Sequence, residues 1–353
     1  MSLIDIVVVG GGQSGLAAAG ALRRAGRRPV ILEAGEEPVG SWPRYYDSLT
    51  LFSPARYSSL PGLPFEGDPD RYPYRDEVVD YLRRYAATLD ADIRTGQRVV
   101  EVTADGPRFG VHLADGDVLA ARSVVAATGG FGRPHRPSIP GLDRYTGTLL
   151  HACDYRNPEP YRGQRVVIVG AGNSAVQIAT ELAKVARVTL ATRAPVRFAP
   201  QRPLGRDLHF WYTVTGLDIA PIGRWLRHPP TVPVLDQGPY RAALAAGRPD
   251  RRPVFTVVDG NLVTWPGGES ESVDAIILAT GYRPDVGYLA PLGALDPHGS
   301  PRHVRGMSTT HPGLAFVGLE WQSSLNSASL RGVGRDARRV AASLAHVVRS
   351  AGQ

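Results

Sequence analysis

The feature that most constrains the fold is a glycine-rich turn that occurs twice in one chain. The stretches IVVVGGGQSG and VVIVGAGNSA each join a continuous apolar run to a helix rich in small residues. A continuous apolar run predicts a parallel strand that is covered on both faces. Glycines at this spacing allow a tight turn and let a pyrophosphate approach the N-terminus of the helix. We therefore predict an α/β fold with two Rossmann-like dinucleotide-binding domains, called here the first unit and the second unit.

The first unit carries the complete pattern of a dinucleotide-binding turn. The apolar run Ile4–Val9 is followed by Gly10, Gly12 and Gly15, and the next predicted strand ends at Glu33. A carboxylate at that place can accept hydrogen bonds from both hydroxyls of a ribose. The first unit is therefore predicted to bind a dinucleotide with a free 2′-hydroxyl, as in FAD.

The second unit has an arginine at the corresponding place. Arg193 follows Gly170 by 23 residues, as Glu33 follows Gly10. A guanidinium there can bind a 2′-phosphate through two hydrogen bonds, and a solvated arginine at a strand end is the alternative. The second unit is therefore predicted to prefer NADPH.

A second repeated motif indicates how the two units are connected. The stretches SVVAATGG and AIILATGY are apolar runs that close on Ala-Thr-Gly, each downstream of its own glycine turn. This predicts nested domains, with residues 1–157 and 275–353 forming the FAD-binding domain and residues 158–274 the NADPH-binding domain. Residues 194–253, rich in proline and aromatic side chains, are predicted to be an insertion that covers the substrate site or forms a packing subdomain.

Composition excludes several classes of protein. Lys184 is the one lysine among 40 basic residues, the net charge is +7, and the arginines are scattered, so we expect no nucleic-acid partner. Cys153 is the single cysteine, which excludes a redox dithiol within the chain. The sequence shows neither a basic-then-apolar leader nor an apolar run long enough to cross a bilayer. We therefore expect a cytoplasmic protein with no membrane partner.

Together these motifs resemble one family along nearly the whole chain. The order GGGQSG, Glu33, Gly40-Ser41-Trp42, ATGG, YTGTLLHACDY, GAGNSA and ATGYRPD is similar to that of the flavin-containing, class B monooxygenases, which are two-dinucleotide-binding-domain flavoproteins. YTGTLLHACDY resembles their F-x-G-x-x-x-H-x-x-x-Y/F signature, with Tyr145 in place of the phenylalanine and without the Trp-Pro ending of Baeyer–Villiger enzymes. The segment YYDSLTLFSPARYSSLPGLPF further resembles the ArsO-type branch, which is associated with arsenic resistance.

The resemblance implies an FAD-dependent, NADPH-consuming monooxygenase. It implies that reduced FAD and O2 form a C4a-peroxyflavin that oxygenates a soft nucleophilic small molecule at S, at N or as arsenite. One departure is Phe52, which stands where relatives carry an asparagine that hydrogen-bonds the peroxyflavin or NADP; Ser53 is the neighbouring polar residue. The alternatives are an NADPH-dependent flavin reductase or oxidase without oxygen insertion, and a nucleotide-binding redox sensor with little turnover. The sequence leaves open whether the protein forms a homodimer.

The turns and the resemblance together assign cofactor contacts, but no catalytic residue and no metal ligand. His151 is expected to have a structural role at the domain crossing, and His209 and Cys153 are expected to pack internally. The predicted cofactor contacts are Gly10, Gly12, Gln13, Ser14, Gly15, Glu33, Ala34, Gly40, Trp42, Val99, Thr128, Gly129, Gly170, Gly172, Asn173, Ser174, Thr192, Arg193, Thr280, Gly281, Gly318, Asn326 and Ser327.

Overall fold

Two sheets, each built around one of the glycine turns, organise the chain in the computed structural model. The structure describes residues 3–221, 232–236 and 238–350. Trp225, one of the aromatic residues in the predicted insertion, lies outside these residues.

In each repeat a strand, the glycine turn, a helix and a second strand follow one another. In chain order the strands are β1 (Ile4–Val9), β2 (Val30–Leu32), β3 (Asp92–Arg94), β4 (Val99–Asp105), β5 (Arg108–Leu113), β6 (Val118–Ala126), β7 (Arg133–Pro134), β8 (Thr148–His151), β9 (Arg165–Val169), β10 (Arg187–Thr192), β11 (Phe198–Pro200), β12 (Val234–Asp236), β13 (Asp250–Pro253), β14 (Val257–Asp259), β15 (Leu262–Thr264), β16 (Ser270–Ser272), β17 (Ala275–Leu278), β18 (Tyr282–Arg283), β19 (His303–Val304), β20 (Met307–Ser308) and β21 (Leu314–Phe316).

The α-helices are α1 (Gln13–Arg24), α2 (Arg75–Ala87), α3 (Asn173–Leu182), α4 (Leu208–Thr215), α5 (Pro239–Ala245) and α6 (Leu330–Ser350). Helices α1 and α3 follow the two glycine turns, in the orders β1-α1-β2 and β9-α3-β10. Short 3-10 helices lie at Trp42–Arg44, Ala55–Tyr57, Leu142–Arg144, Glu159–Tyr161, Pro203–Gly205, Leu217–Ile219 and Gly287–Leu292.

The sheet of the first unit has the order β19-β20-β21-β6-β1-β2-β3, and β5 and β4 continue from β6. The strands β3, β2, β1, β6 and β21 run parallel to one another, whereas β20 pairs antiparallel with β21 and β5 pairs antiparallel with β6. The helices α1, α2 and α6 cover one face, where the alanines of α1 let the helix lie close to the sheet and to α6. This packing brings the start of α1, with its glycine turn, to the carboxyl end of β1.

The sheet of the second unit is entirely parallel, with the order β13-β10-β9-β17-β8. Helix α3 packs on one face, and the antiparallel sheet β14-β15-β16 covers the other. Leu149 of the outer strand β8 pairs with Ile276 of its neighbour β17, and both side chains pack in this core.

Strand pairing crosses the predicted boundaries. The boundaries at 157/158 and 274/275 place β8 and β17 in the first unit, whereas both strands pair within the second sheet. Strand β13, at the end of the predicted insertion, also pairs with β10 of the second sheet. Strand pairing is set by residues far apart in the chain, so neither boundary follows from local pattern. The division into two domains itself stays a prediction.

Candidate functional site

The glycine turn of the first unit is closely packed. A Cβ atom added to Gly15 would lie 1.8 Å from the carbonyl oxygen of Gly10, so the helix cannot approach the strand with any larger residue there. A Cβ on Gly12 would lie 3.2 Å from Cα of Gly40. The backbones at Gly12 and Gly40 therefore lie close to each other and form one wall of the turn.

Glu33 lies buried beside this turn, at the end of β2. Its Oε2 accepts the N–H of Gly11 at 2.6 Å, and its Oε1 accepts the N–H of Gly35 at 2.7 Å. These two bonds fix the carboxylate in one orientation. Each oxygen keeps a second lone pair, which can accept a ribose hydroxyl. Ala34, the next predicted contact, is exposed.

Gln13 connects the glycine turn to two other segments. Its Nε2 donates to the carbonyl of Ala328 at 2.6 Å, and its Oε1 accepts from Nε1 of Trp42 at 3.1 Å. Ser14 packs against Gly318, where an added Cβ would lie 1.9 Å from Ser14 Oγ. Predicted contacts that are hundreds of residues apart in sequence therefore meet around one turn. Val99, the remaining one on this side, lies half-buried in β4, opposite Leu113.

The turn between β21 and α6 holds its own polar side chains internally. Ser327 Oγ accepts the N–H groups of Ser323 and Ser324 at 3.1 and 3.0 Å. Asn326 Nδ2 donates at 3.0 Å to Asp218, a carboxylate that is 2% exposed. The sequence analysis missed Asp218, because it is 108 residues from Asn326 and belongs to neither repeat. The side chains of Asn326 and Ser327 thus shape this turn.

The glycine turn of the second unit is open. No atom lies within 4 Å of a Cβ added to Gly172, whereas one added to Gly170 would lie 2.3 Å from the carbonyl oxygen of Ala279. The side-chain oxygen of Asn173 is buried without a hydrogen-bond partner. Since the O and N of an amide are assigned from their surroundings, this is an unsatisfied amide at the start of α3. Ser174 follows it, half-buried.

Arg193 extends from the end of β10 into solvent, next to the buried Thr192. Among the described residues its guanidinium has no hydrogen bond or ion pair. Burial and the positive charges of Arg283 and Arg193 lower the pKa of the nearby His135. The structure therefore places two guanidinium groups near one imidazole, a setting that favours an anion. The sequence analysis identified Arg193 but not Arg283 or His135.

The two Ala-Thr-Gly motifs meet at the crossing between the units. Gly129 and Gly281 both have positive φ and open space beside them. Thr128 donates to the carbonyl of Asp285 at 2.9 Å, and Thr280 donates to that of His135. The carbonyl of Gly281 accepts the N–H of His135 at 2.9 Å and lies 3.1 Å from Nε2 of His151.

His151 is held by hydrogen bonds at this crossing, and its structural role stays a prediction. It is fully buried, and its Nδ1 accepts the N–H of Cys153 at 3.2 Å, so Nε2 carries the proton that reaches Gly281. Burial lowers the pKa of His151, which keeps it neutral. Cys153 itself is only half-buried, and burial raises the pKa of its thiol to about 11, so it is a poor thiolate.

Phe52 lies where the two units touch. Its side chain is 45% exposed, and its ring stacks on His209. Ser53 lies 2.8 Å from Ser58, Oγ to Oγ, so its hydroxyl is engaged within its own loop. His209 is buried, and His209 Nδ1 lies 2.8 Å from Asp207 Oδ1. In the described part of the chain no group of three or more His, Cys, Asp or Glu side chains is placed to hold a metal ion.

The residues at both turns fit the dinucleotides that the sequence predicts. The first turn offers a pyrophosphate path beside Gly12 and a fixed carboxylate for a ribose. The second turn offers the open space at Gly172, the unsatisfied amide of Asn173 and a free guanidinium. Which of these residues touch a cofactor stays a prediction.

Comparisons with known proteins agree with this geometry. Residues 7–209 match the family described as pyridine nucleotide-disulphide oxidoreductase. An uncharacterized CzcO-like oxidoreductase of Geobacillus kaustophilus is 32% identical over 340 residues, 95% of this chain and 96% of that protein. The indole-3-pyruvate monooxygenase YUCCA1 of Oryza sativa is 32% identical over 313 residues, 79% of this chain and 77% of that protein.

A solved structure is similar along the whole chain. The flavin-containing monooxygenase from Stenotrophomonas maltophilia has a TM-score of 0.86 and 33% identity, with 98% of this chain and 99% of that chain covered. Among the described residues no helix is both long and apolar enough to span a membrane.

Proposed function

Because the chain belongs to the pyridine nucleotide-disulphide oxidoreductase family, and within it to the class B flavin monooxygenases that use FAD and NADPH, we propose that it is an NADPH-consuming monooxygenase of soft nucleophiles. FAD, when bound, takes a hydride from NADPH, activates O2 and supplies one oxygen atom to the substrate. The protein binds and orients the two dinucleotides and shields their meeting point from water.

One observation carries the proposal. The two dinucleotide turns are each followed by a strand that ends in a charged residue, negative in the first unit and positive in the second, and the chain has a single cysteine. Glu33 suits a free ribose and Arg193 suits a 2′-phosphate, so the chain holds one site for FAD and another for NADPH. A flavin reduced by NADPH has no dithiol in this chain to receive its electrons. O2 with a small molecule is then the natural acceptor.

The substrate class is argued from the same chemistry. Oxygen transfer of this kind suits electron-rich sulfur or nitrogen; the rice relative is named for action on indole-3-pyruvate, a 2-oxo acid, and so gives this substrate class no support. Arsenite stays a hypothesis that rests on the resemblance of the segment around Phe52. The half-buried thiol of Cys153 gives it no support, since one protonated thiol makes a poor site for a soft ion.

A flavin reductase or oxidase is the second candidate, and Phe52 is the observation that favours it. A phenyl ring cannot donate a hydrogen bond to an oxygen species on the flavin, and Ser53 is engaged with Ser58. If nothing else donates there, reduced flavin would return its electrons to O2 as hydrogen peroxide.

Isotope incorporation separates the candidates. The purified yellow protein would be given NADPH, ¹⁸O₂ and, in turn, a thioether, a small tertiary amine and arsenite. We expect one labelled oxygen atom in a product, one product per NADPH, and faster flavin reduction by NADPH than by NADH. If the hydrogen peroxide formed equals the NADPH consumed under every condition, the oxidase candidate is correct and the monooxygenase proposal fails. Negligible NADPH oxidation would favour the redox sensor.

A further inference from the structure

A largely buried acid–histidine pair lies where the insertion of the second unit meets the loops of the first. The pair is Asp207 and His209, at the start of α4, and each side chain is 10% exposed. Asp207 Oδ1 accepts the backbone N–H of His209 at 2.8 Å and lies 2.8 Å from its Nδ1. One carboxylate oxygen therefore caps the helix and orients the imidazole.

The other oxygen of Asp207 accepts hydrogen bonds from both units. Oδ2 accepts the hydroxyl of Tyr72 at 2.6 Å and Nε2 of Gln201 at 2.8 Å. Burial alone would raise the pKa of Asp207, but hydrogen bonds from His209, Tyr72 and Gln201 outweigh burial and hold it below its usual value. Asp207 is thus an ionised acceptor with its partners in place.

The imidazole lies between two aromatic rings of the first unit. The ring of His209 stacks on Phe52 at 6.0 Å and 26°, and on Tyr57 at 6.2 Å and 25°. Tyr212, one turn along α4, meets it edge-on at 5.8 Å and 88°. The rings of Phe52 and Tyr57 therefore lie nearly parallel to an imidazole whose orientation is set by Asp207.

The backbone of Phe52 is held by the insertion as well. Nε2 of Gln201 donates to the carbonyl of Phe52 at 2.9 Å, in addition to its bond with Asp207. Both the ring and the main chain of Phe52 therefore depend on the Asp207–His209 pair and its neighbour. The remaining surface of the Phe52 ring is open, with 45% of the side chain exposed.

The same cluster is joined to the turn that closes the first glycine site. Arg331 lies over the ring of Tyr57, at 5.8 Å from its centroid, and pairs with Asp218 at 2.5 Å. Asp218 accepts the amide of Asn326, and Ala328, two residues later, binds Gln13. A continuous set of contacts thus runs from the imidazole to the first residue of α1.

We propose that His209, oriented by Asp207, is a positioning residue that holds Phe52 as a fixed wall of the oxygen-reacting pocket across the boundary between the units. The inference rests on the proposed function and adds a determinant of coupling, the share of consumed NADPH whose oxygen reaches substrate. In the coupled reaction, substrate, O2, NADPH and a proton give oxygenated substrate, water and NADP⁺. In the uncoupled reaction, O2, NADPH and a proton give hydrogen peroxide and NADP⁺. A loose wall admits water and favours the second reaction.

The test uses the FAD-bound full chain and measures peroxide per NADPH at saturating thioether, together with kcat and KM. His209→Asn keeps a donor for Asp207 and removes the ring, whereas His209→Phe keeps a ring and removes the donor. We expect the peroxide share to rise several-fold in His209→Asn and less in His209→Phe, with little change in the rate of flavin reduction by NADPH. Trp211→Phe, on the same helix, loses the bond from Nε1 to Pro203, keeps an aromatic ring beside Phe210 and is expected to match the wild type.

A double-mutant cycle keeps the test decisive if one variant folds poorly. Phe52→Ala leaves the insertion intact, so it should raise the peroxide share by itself, and adding His209→Asn should raise it little further. An unchanged peroxide share in FAD-replete His209→Asn, or additive effects in the double variant, would overturn the inference. A wild-type protein that makes only peroxide would instead overturn the proposed function, and with it the inference.

Discussion

The two glycine turns share one sequence pattern but differ in what surrounds them. In the first, Gly12 lies against Gly40, and Gln13 binds both Trp42 and the carbonyl of Ala328. In the second, Gly172 faces open space and the amide of Asn173 is unsatisfied. A turn that is enclosed by other segments of the chain suits a ligand that stays bound, and an open turn suits a ligand that is exchanged in each reaction cycle. The contrast matches a resident flavin and a nicotinamide co-substrate.

The largest effect is expected from the third residue of each turn. Gly15→Ala forces a Cβ to within 1.8 Å of the carbonyl of Gly10, so we expect a loss of about 3 kcal/mol of folding free energy and of most bound FAD. The reverse change in the second turn, Ala175→Gly, costs about 1 kcal/mol and leaves the FAD content unchanged. Thermal unfolding and the ratio of flavin to protein absorbance measure both, and a Gly15→Ala protein with full FAD would contradict the close-packed first turn.

A smaller effect, confined to the second unit, is expected at the end of β10. If Arg193 binds the 2′-phosphate as we propose, Arg193→Glu replaces a charge-assisted hydrogen bond by repulsion, which costs about 1.5–3 kcal/mol, or roughly a 10- to 150-fold fall in kcat/KM for NADPH. NADH should be little affected. Arg187→Glu, at the other end of the same strand, is the matched control. An unchanged ratio of NADPH to NADH efficiency would refute the 2′-phosphate assignment.

The second residue of each turn tests the contrast between open and closed walls. Gly172→Ala meets no atom within 4 Å, so we expect unchanged unfolding and a several-fold higher KM for NADPH, because the methyl group enters the pyrophosphate path. Gly12→Ala meets Gly40 at 3.2 Å and should weaken FAD retention instead. Stopped-flow reduction and flavin release on dilution distinguish the two, and loss of FAD in Gly172→Ala would remove the distinction.

The smallest effect concerns ion pairs of different burial in the two units. A hydrogen bond from Arg165 holds the pKa of Glu271 below its usual value, so the pair stabilises the protein above that value and its contribution is lost as pH falls through the lowered pKa. Glu271→Gln should cost about 1 kcal/mol at pH 7, with the difference vanishing once the pH falls below the lowered pKa of Glu271. Glu37→Gln removes the exposed pair with Arg83 and should change nothing measurable. Denaturant titrations across pH would show equal effects if burial were irrelevant.

Local pattern was enough to predict the glycine turns, because each depends on residues within one strand–turn–helix segment. The apolar runs before the two turns form the predicted strands, Ile4–Val9 and Arg165–Val169. Helix α2 follows from local pattern as well, because Val78, Leu82 and Tyr85 recur at helical spacing and are buried, whereas Leu89 at the same spacing lies beyond the helix end at Ala87.

Contacts between distant segments could not be predicted in the same way. Asp218 meets Asn326 and Arg331, and His209 meets Phe52, through residues that belong to neither repeat. No periodicity links such positions, so only the folded chain reveals them. Strands β8 and β17 pair in the second sheet although Thr148 and its partner Ala275 are 127 positions apart, and the boundaries predicted near residues 157 and 274 did not anticipate this pairing.

The nesting of one unit inside the other also sets an order of events during synthesis. Strand β21 and helix α6, which complete the first sheet and cover α1, follow the whole second unit in the chain. Until they are made, the edge of β6 and the alanine face of α1 lack these partners. Completion of the sheet and helix packing around the first glycine turn therefore depends on segments that are synthesised after the second unit.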